Sequence, residues 1–564
     1  MRAEKRRRQT ASASERFFDE LDSIVTQSTS LSGVAGTTLE EFLCQNILVK
    51  GPFGQLVPFS FEGYAFWKWI TRVSQNHPYL VFLKAAQVIF STWMLGRLTW
   101  KGAGTSLKAG LYFPDDTSMK DFHDDRVVPF LQNCKVLHQY LKENQTDNNR
   151  TKKLGDFTLA LRGTWTKRGV KTIDLDAVGL DEVDEHDEEN IEFVPDRLLA
   201  SKLGWMMFGS QPSLPNFGIH AEFLNSSQGF WLIRCGCGEW NNLIERWLSD
   251  HDSIWGFKDK DSKIQPVPGS VFYACAGCGK PLDNQKGEYV NKIQKHDHHG
   301  YQLSQLWTPN DPSQLYKRQL NANTSAKRKA FCISVIGWPY SSDEEQPLQR
   351  EDIERWQSDF VLQDGCQYFT FHGLDQGDTI HGVFGEPTTD GRIKIIGLYK
   401  GHVINEIDYY NSIQRFNVYS GVIDAMPNRN FSMKTALKFP DNIRIQFFSK
   451  KFAEREEILP GSESVGVIQV NRDVSLQETV DAIKAGLFLF PNPKKLPPAD
   501  LALYEEFKFH LTMLIRERGE DENGKALWGF KKKVPNHFGM ALNSLRLAFE
   551  TQSESGGSYG GGIG

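Results

Sequence analysis

Four short apolar runs, each closing on a charged or hydroxyl-bearing residue, constrain the fold of this chain more tightly than any other feature. They are YLVFLK (79–84), AGLYFPDD (109–116), AVGLDE (177–182) and LGWMMFGS (203–210). Runs of this length and character read as buried strands, and helical stretches alternate with them. The first half is therefore expected to be an α/β layer with polar side chains at its strand tips. A second set begins near Gln367: QYFTFHGLD, TIHGVFGEP and RIKIIGLYKG, separated by turn residues. These predict an antiparallel meander, followed by a helix, the strand SGVIDAM, further alternation and a helical end.

At 564 residues the chain exceeds what one core can hold, so two or three domains are expected. The formal net charge of −5 provides no global basic field, and any nucleic-acid surface must be local. The most apolar stretch, 79–100, is long enough to suggest a membrane span. Lys84 and Gln87 inside it and Arg97 near its end would be costly there, and it reads as a strand followed by a helix. The basic start, MRAEKRRRQ, is not followed by an apolar segment and is not a secretory signal. Eight cysteines do not suggest a disulfide scaffold, and a reducing cytoplasm fits them best.

Lys84 falls at the turn between strand and helix. An ATP site needs a cation and backbone N–H donors near the phosphates and a hydroxyl near Mg²⁺. Lys84 can supply the cation, Ser91 or Thr92 the hydroxyl, and Gln87 lies on the connecting loop. The usual G-x-x-x-x-G-K-[ST] spacing is absent, and on this segment alone a snorkelling lysine is the plainer account. Asp181 and Glu182 change the weighing: one carboxylate at a strand tip can hold Mg²⁺ and its neighbour can polarise a water. Asp184 through Glu189 read as a solvated acidic loop. Ser210 and Gln211 end another apolar strand, where a γ-phosphate can be sensed.

Cys235 and Cys237 in IRCGCGEW, with Cys275 and Cys278 in YACAGCGKP, form two close pairs, each followed by glycine. That spacing predicts a zinc ribbon with four thiolates around a structural Zn²⁺. His296, His298 and His299 read as part of a polar loop leading into a strand. In the second block, Asp375 ends the first meander strand and Asp424 ends the strand after the meander. Neighbouring strand tips in this order match the RNase H-like fold, in which two divalent ions about 3.5–4 Å apart activate a water and stabilise the leaving oxygen.

The succession KAAQVIFST, LYFPDDTSMKDFHDDRVVPFL, VGLDEVD and FGSQPSLPNFGIHAEFLNSSQ resembles the lambda-type group of tailed-phage terminase large subunits. Further matches (FPDNIRIQFFS, VIQVNRD, LFLFPNPKKLP and FKFHLTMLIRE) extend the resemblance over roughly residues 39–550. It implies Lys84 and Ser91 for phosphate and Mg²⁺, Asp181 for Mg²⁺, Glu182 as catalytic carboxylate, and Ser210 and Gln211 as a coupling motif. It also implies Mg²⁺ or Mn²⁺ at Asp375 and Asp424. There are two departures. Ile89 stands where the family has glycine, and isoleucine does not readily take φ > 0, so the loop must use another conformation or bind nucleotide poorly. Asn536 stands where the family has aspartate, which weakens one metal unless His537 compensates. Asp473 is a possible substitute acid, though a helix N-cap is its plainer job.

The resulting organisation is a flexible arm at 1–38, a P-loop (ASCE-type) ATPase block at 39–310 with the zinc-ribbon insert at about 230–300, and a linker at 311–365. An RNase H-like nuclease follows at 366–550 and a Gly-rich tail at 551–564. The family implies double-stranded DNA, a portal protein and procapsid, and a small terminase subunit as partners, in a homo-oligomeric (pentameric) ring in the host cytoplasm, with no membrane. Two rivals remain: a metal-dependent nuclease or recombinase on a degenerate ATPase block, and a catalytically worn DNA-binding packaging component.

Overall fold

The computed structural model describes residues 36–555 apart from 52, 104, 138–146, 172, 343, 450–452, 459–463, 521–525 and 533. The expected arm, but for its last three residues, and the tail beyond 555 lie outside that range. The chain divides into two units, with the boundary between Ser341 and Ser342.

In the first unit, β1 (Tyr79–Lys84), β2 (Lys108–Phe113), β3 (Phe157–Gly163), β4 (Ala177–Asp181), β5 (Trp205–Ser210), β6 (Gly229–Arg234) and β7 (His299–Leu303) belong to one sheet. Their spatial order is β6-β7-β1-β5-β4-β2-β3, and every neighbouring pair is parallel. Leu80, Val81, Phe82 and Leu83 of β1 are all fully buried. Burial on both faces is why this strand reads as an unbroken apolar run and not as an alternating one. The helix that follows, α1 (Phe90–Gly102), packs on the sheet through Trp93, Met94 and Leu98. Trp93 stacks on Trp67 with ring centroids 4.9 Å apart.

Arg97 of α1 is wholly buried. Its guanidinium donates to the carbonyls of Gln75 and His77 and lies 3.9 Å from the Trp205 ring. Burial pulls it down to about 9, and those acceptors with the aromatic face keep the charge tolerable. Among the described residues no helix is long and apolar enough to cross a membrane.

The segment expected as a linker, 311–365, contains short helices. Pro312–Leu320 and Ser325–Phe331 are helices of the first unit, and Arg350–Glu354 is a helix of the second. Asp311 and Thr324 are N-caps, and Leu315, Tyr316 and Phe331 supply enough apolar surface to anchor these short helices in a polar stretch.

The second unit is built on β8 (Thr370–Asp375), β9 (Thr379–Pro387), β10 (Ile393–His402), β11 (Val418–Asp424), β12 (Ile443–Phe448), β13 (Ala453–Ile458), β14 (Ser464–Val470) and β15 (Phe488–Leu489). Their order is β13-β14-β12-β11-β8-β9-β10-β15. β8, β9 and β10 form the antiparallel meander, while β11 runs parallel to β8 and β12 parallel to β11. The helices that frame its site are α2 (Arg472–Ala485), α3 (Pro498–Thr512) and α4 (His537–Ser555).

The α4 backbone lies directly on β8: a Cβ at Gly373 would run into the Ala541 carbonyl oxygen and the Leu545 amide. Glycine is there because helix and strand touch main chain to main chain. Gly373→Ala is expected to destabilise the second unit by about 3 kcal/mol. Urea unfolding followed by amide hydrogen exchange in β8 reads this as a lowered midpoint; an unchanged midpoint contradicts the close packing.

Candidate functional site

At the tips of β1, β4 and β5, the parallel register sets Leu83 beside Ser210 and Asp181 beside Gly209. Lys84 is thereby carried next to the acidic pair. Its ammonium, with 8% of the side chain exposed, lies 2.9 Å from a Glu182 carboxylate oxygen and 3.3 Å from Asp181. Burial pushes the lysine down, but Asp181 and then Glu182 outweigh it, and its pKa ends above the ordinary lysine value. The snorkelling account of Lys84 is therefore wrong, because the head group points into the cluster and not to water. Ser91 donates to the other Asp181 oxygen at 2.8 Å, so the hydroxyl beside the acids is that of Ser91 and not of Thr92.

The loop between Lys84 and α1 answers the question raised by Ile89. Ile89 adopts φ 56° and ψ 16°, and Gln87 also has φ 56°. The expectation that isoleucine would force another loop conformation is corrected: the residue takes the left-handed region. That conformation costs about 1–2 kcal/mol for a residue with a Cβ, and the surroundings hold it. The Trp67 indole donates to the Val88 carbonyl at 2.5 Å and the Gln305 amide to the Ala86 carbonyl at 3.0 Å. The Ala85 and Ala86 N–H groups donate to the carbonyls of Leu303 and Ser334. α1 begins without a side-chain cap, so its first-turn amides are available to an anion. An uncapped helix start beside a buried ammonium and a hydroxyl is a donor set suited to a polyphosphate.

The acidic run beyond Glu182 departs from expectation at its first members. Asp184 is not a solvated loop residue: its carboxylate accepts from the Ser213 amide and hydroxyl, both at 2.6 Å, and from the Ile219 amide at 2.7 Å. Its own N–H donates to Ser210, whose hydroxyl in turn donates to the Gln211 carbonyl. Asp184 thus ties the tip of β4 to the loop after β5. His186, held down to about 4 by burial, bridges the Asp181 carbonyl and the Thr164 hydroxyl as a neutral imidazole.

The four cysteines converge. Their sulfurs lie within 4.8 Å of one another, with Cys235 to Cys278 and Cys237 to Cys275 both at 3.7 Å, and all four are free thiols. Gly238 and Gly279, which follow the two pairs, have φ 98° and 69°, and each closes a tight turn back onto its first cysteine. A four-thiolate donor set at this spread fits one tetrahedral Zn²⁺. His298 and His299, outside this cluster, stack on Tyr79 and His77.

In the second unit Asp375, Asp424, Asn536 and His537 line one cleft of about 790 Å³, with Arg472, Asp473 and Glu517 among its other walls. Asp375 and Asp424 end adjacent parallel strands, with Leu374 paired to Ile423. Burial first, and the Asp375 charge second, raise Asp424 to about 7. A divalent cation held by the two carboxylates would relieve the repulsion felt by Asp424, and the side-chain oxygen of Asn536 on the same cleft wall is a further oxygen donor. His537 Nδ1 is 2.8 Å from Asp375. Asp473 is not the cap of α2; Asn471 is, accepting from the Asp473 and Val474 amides, while Asp473 accepts from the Phe530 amide. The sequence reading missed His381, which pairs with Asp375 across β8 and β9 and brings a ligand atom within 4.8 Å of those of Asp375 and His537. The short turn between the two strands could have revealed that register.

Residues 71–293 match the family model described as phage terminase large subunit gpA, ATPase domain. Among solved structures, the HK97 bacteriophage large terminase is 12% identical, with 90% of this chain and 98% of that one covered and a TM-score of 0.43. A large terminase from a thermophilic bacteriophage is 10% identical, with 86% and 98% covered and a TM-score of 0.29. The large terminase nuclease from thermophilic phage G20c is 12% identical, with 33% and 86% covered and a TM-score of 0.22. Similarities this low establish no shared activity. No curated protein matches the chain.

The raised Asp424 carboxyl has a consequence for stability. Its contribution is fully present below the ordinary value of 3.8 and is lost as pH rises through about 7. Without added divalent ions, Asp424→Asn is expected to stabilise the second unit by about 2–4 kcal/mol above neutrality, and the gain should shrink as pH falls towards 4. Urea unfolding across that range checks this; a pH-independent difference contradicts the shared-charge account.

Proposed function

We propose that this chain, whose residues 71–293 match the model of the phage terminase large subunit gpA ATPase domain, is the motor and nuclease of a phage DNA-packaging machine. Its first unit would use ATP hydrolysis to move double-stranded DNA through a portal protein into a procapsid. Its second, on an RNase H-like core, would cut concatemeric DNA. A small terminase subunit would select that DNA, and a ring of copies, five in the expected arrangement, would grip it. The single observation carrying this reading is the Lys84–Asp181–Glu182–Ser91 cluster, which lies inside the matched segment.

Lys84 is paired with carboxylates and is positioned to exchange them for the phosphate oxygens of ATP, with the first-turn amides of α1 as further donors. Ser91 and Asp181 would hold Mg²⁺, which when bound neutralises charge on the phosphates. Glu182, whose side chain is 42% exposed, would orient and polarise the attacking water. Asp184 links this strand tip to Ser210, Ser213 and Ile219, giving loss of the γ-phosphate a short mechanical route to the loop after β5. In the second unit Asp375, Asp424, Asn536 and His537 would hold the divalent ions (Mg²⁺ or Mn²⁺) that activate water for backbone cleavage. The four cysteines would hold a structural Zn²⁺.

The left-handed conformation of Ile89 supports the motor over a nuclease on a degenerate ATPase block, because the loop keeps the backbone shape for which glycine was expected. Asn536 still distinguishes the second unit from the family pattern. Glu182→Ala is expected to lower DNA-stimulated ATP turnover by about 10²–10⁴-fold, measured on purified protein with and without double-stranded DNA. Turnover at the level of the unmodified chain would remove Glu182 from the chemistry and with it the motor assignment.

A further inference from the structure

The second unit holds more imidazole than a carboxylate-only nuclease centre needs. His381 is 4% exposed, its Nδ1 has no hydrogen-bond partner, and its ring stacks over His537 at 4.9 Å with an interplanar angle of 9°. Ligand atoms of Asp375, His381 and His537 lie within 4.8 Å of one another. Behind them, Glu506 of α3 faces His381 Nε2 at 3.7 Å and is itself fixed by Lys400 at 2.7 Å. A carboxylate that orients an imidazole, and is in turn oriented by a cation, is the outer arrangement that sets tautomer and direction at a histidine ligand.

We propose that this centre is a mixed imidazole–carboxylate metal site in which His381 joins Asp375 and His537 as a ligand, oriented by Glu506. It would therefore select Mn²⁺ or a later first-row ion over Mg²⁺. The inference rests on the nuclease reading for its biological use, but not for its chemistry. Mg²⁺ favours oxygen donors in a near-ideal octahedron and gains little from imidazole, whereas Mn²⁺ and the ions after it accept nitrogen with rising affinity. Asn536 on the cleft wall is neutral and adds none of the negative charge that a hard ion depends on. His381 sits opposite Asp375 in the β8–β9 register, so the two donors share one rigid hairpin and need no loop to bring them together.

The test uses the full chain with zinc in its cysteine site, titrated calorimetrically with Mn²⁺ and with Mg²⁺, and pulsed EPR of the bound Mn²⁺. The expected result is Mn²⁺ binding at least about tenfold tighter than Mg²⁺, with nitrogen coupling in the spectrum. Glu506→Gln should weaken Mn²⁺ by about 10–100-fold and leave Mg²⁺ nearly unchanged. His381→Gln replaces a buried residue, so His537→Gln at a more exposed position serves as the second variant. It should remove part of the nitrogen coupling with an unchanged thermal transition.

Equal affinity for the two ions, or bound Mn²⁺ without nitrogen coupling, overturns the proposal. Plasmid cleavage separates the two levels. Nitrogen-coupled Mn²⁺ without cleavage supports the metal site and removes the nuclease reading. Cleavage that runs equally on Mg²⁺, without nitrogen coupling, keeps the nuclease and removes the imidazole ligands.

Discussion

A buried charge must be met by its opposite, and both candidate centres are arranged around that constraint. At the end of β1 the fold places an ammonium where water is nearly excluded. That is tolerable only because the parallel ladder delivers Asp181 and Glu182 to the same spot. The strand order does this without loops: β1 lies beside β5 and β5 beside β4, so three strand tips meet at one edge of the sheet. The loop from Lys84 to α1 is built on top of that edge, tied by Trp67, Gln305 and Ser334 into a shape that its own sequence disfavours.

The second unit meets the constraint in the opposite sense. Asp375 and Asp424 arrive on neighbouring strands, His537 lies 2.8 Å from Asp375, and Arg472 and Lys532 stand on the cleft wall. Arg472, the nearest guanidinium on the cleft wall, donates to the Phe530 carbonyl. In the first unit the protein supplies its own positive charge, which a substrate anion can borrow. In the second it supplies negative charge and nitrogen donors, which a metal can satisfy. Under the proposed function these would be complementary halves of phosphate chemistry: the first would hold a polyphosphate and the second would attack a phosphodiester.

The strands were legible because burial on both faces erases alternation, leaving runs such as YLVFLK that nothing else explains. The residues at their tips were legible for the same reason, since a charge at the end of an apolar run has few other roles. What escaped depended on partners distant in sequence. Asp184 looked like one acid in an acidic run because its donors, Ser213 and Ile219, come from another element. Ile89 looked incompatible with its turn because the bonds that hold it start at Trp67, Gln305 and Ser334. His381 was hidden inside an apolar strand, where a histidine is usually packing, and Glu506 reaches it from a helix about 120 residues later in the chain.

Two chemically separate centres on one chain should be separable by mutation, and both activities can be measured on the same preparations. ATP turnover and metal-dependent plasmid cleavage would be assayed in parallel for Lys84→Ala and Asp375→Ala. Lys84→Ala is expected to lose DNA-stimulated turnover yet still cut, while Asp375→Ala loses cutting and still turns over ATP. If either substitution left its own activity intact, or if neither activity could be removed without the other, the division of labour argued from the two sets of strand tips would be contradicted.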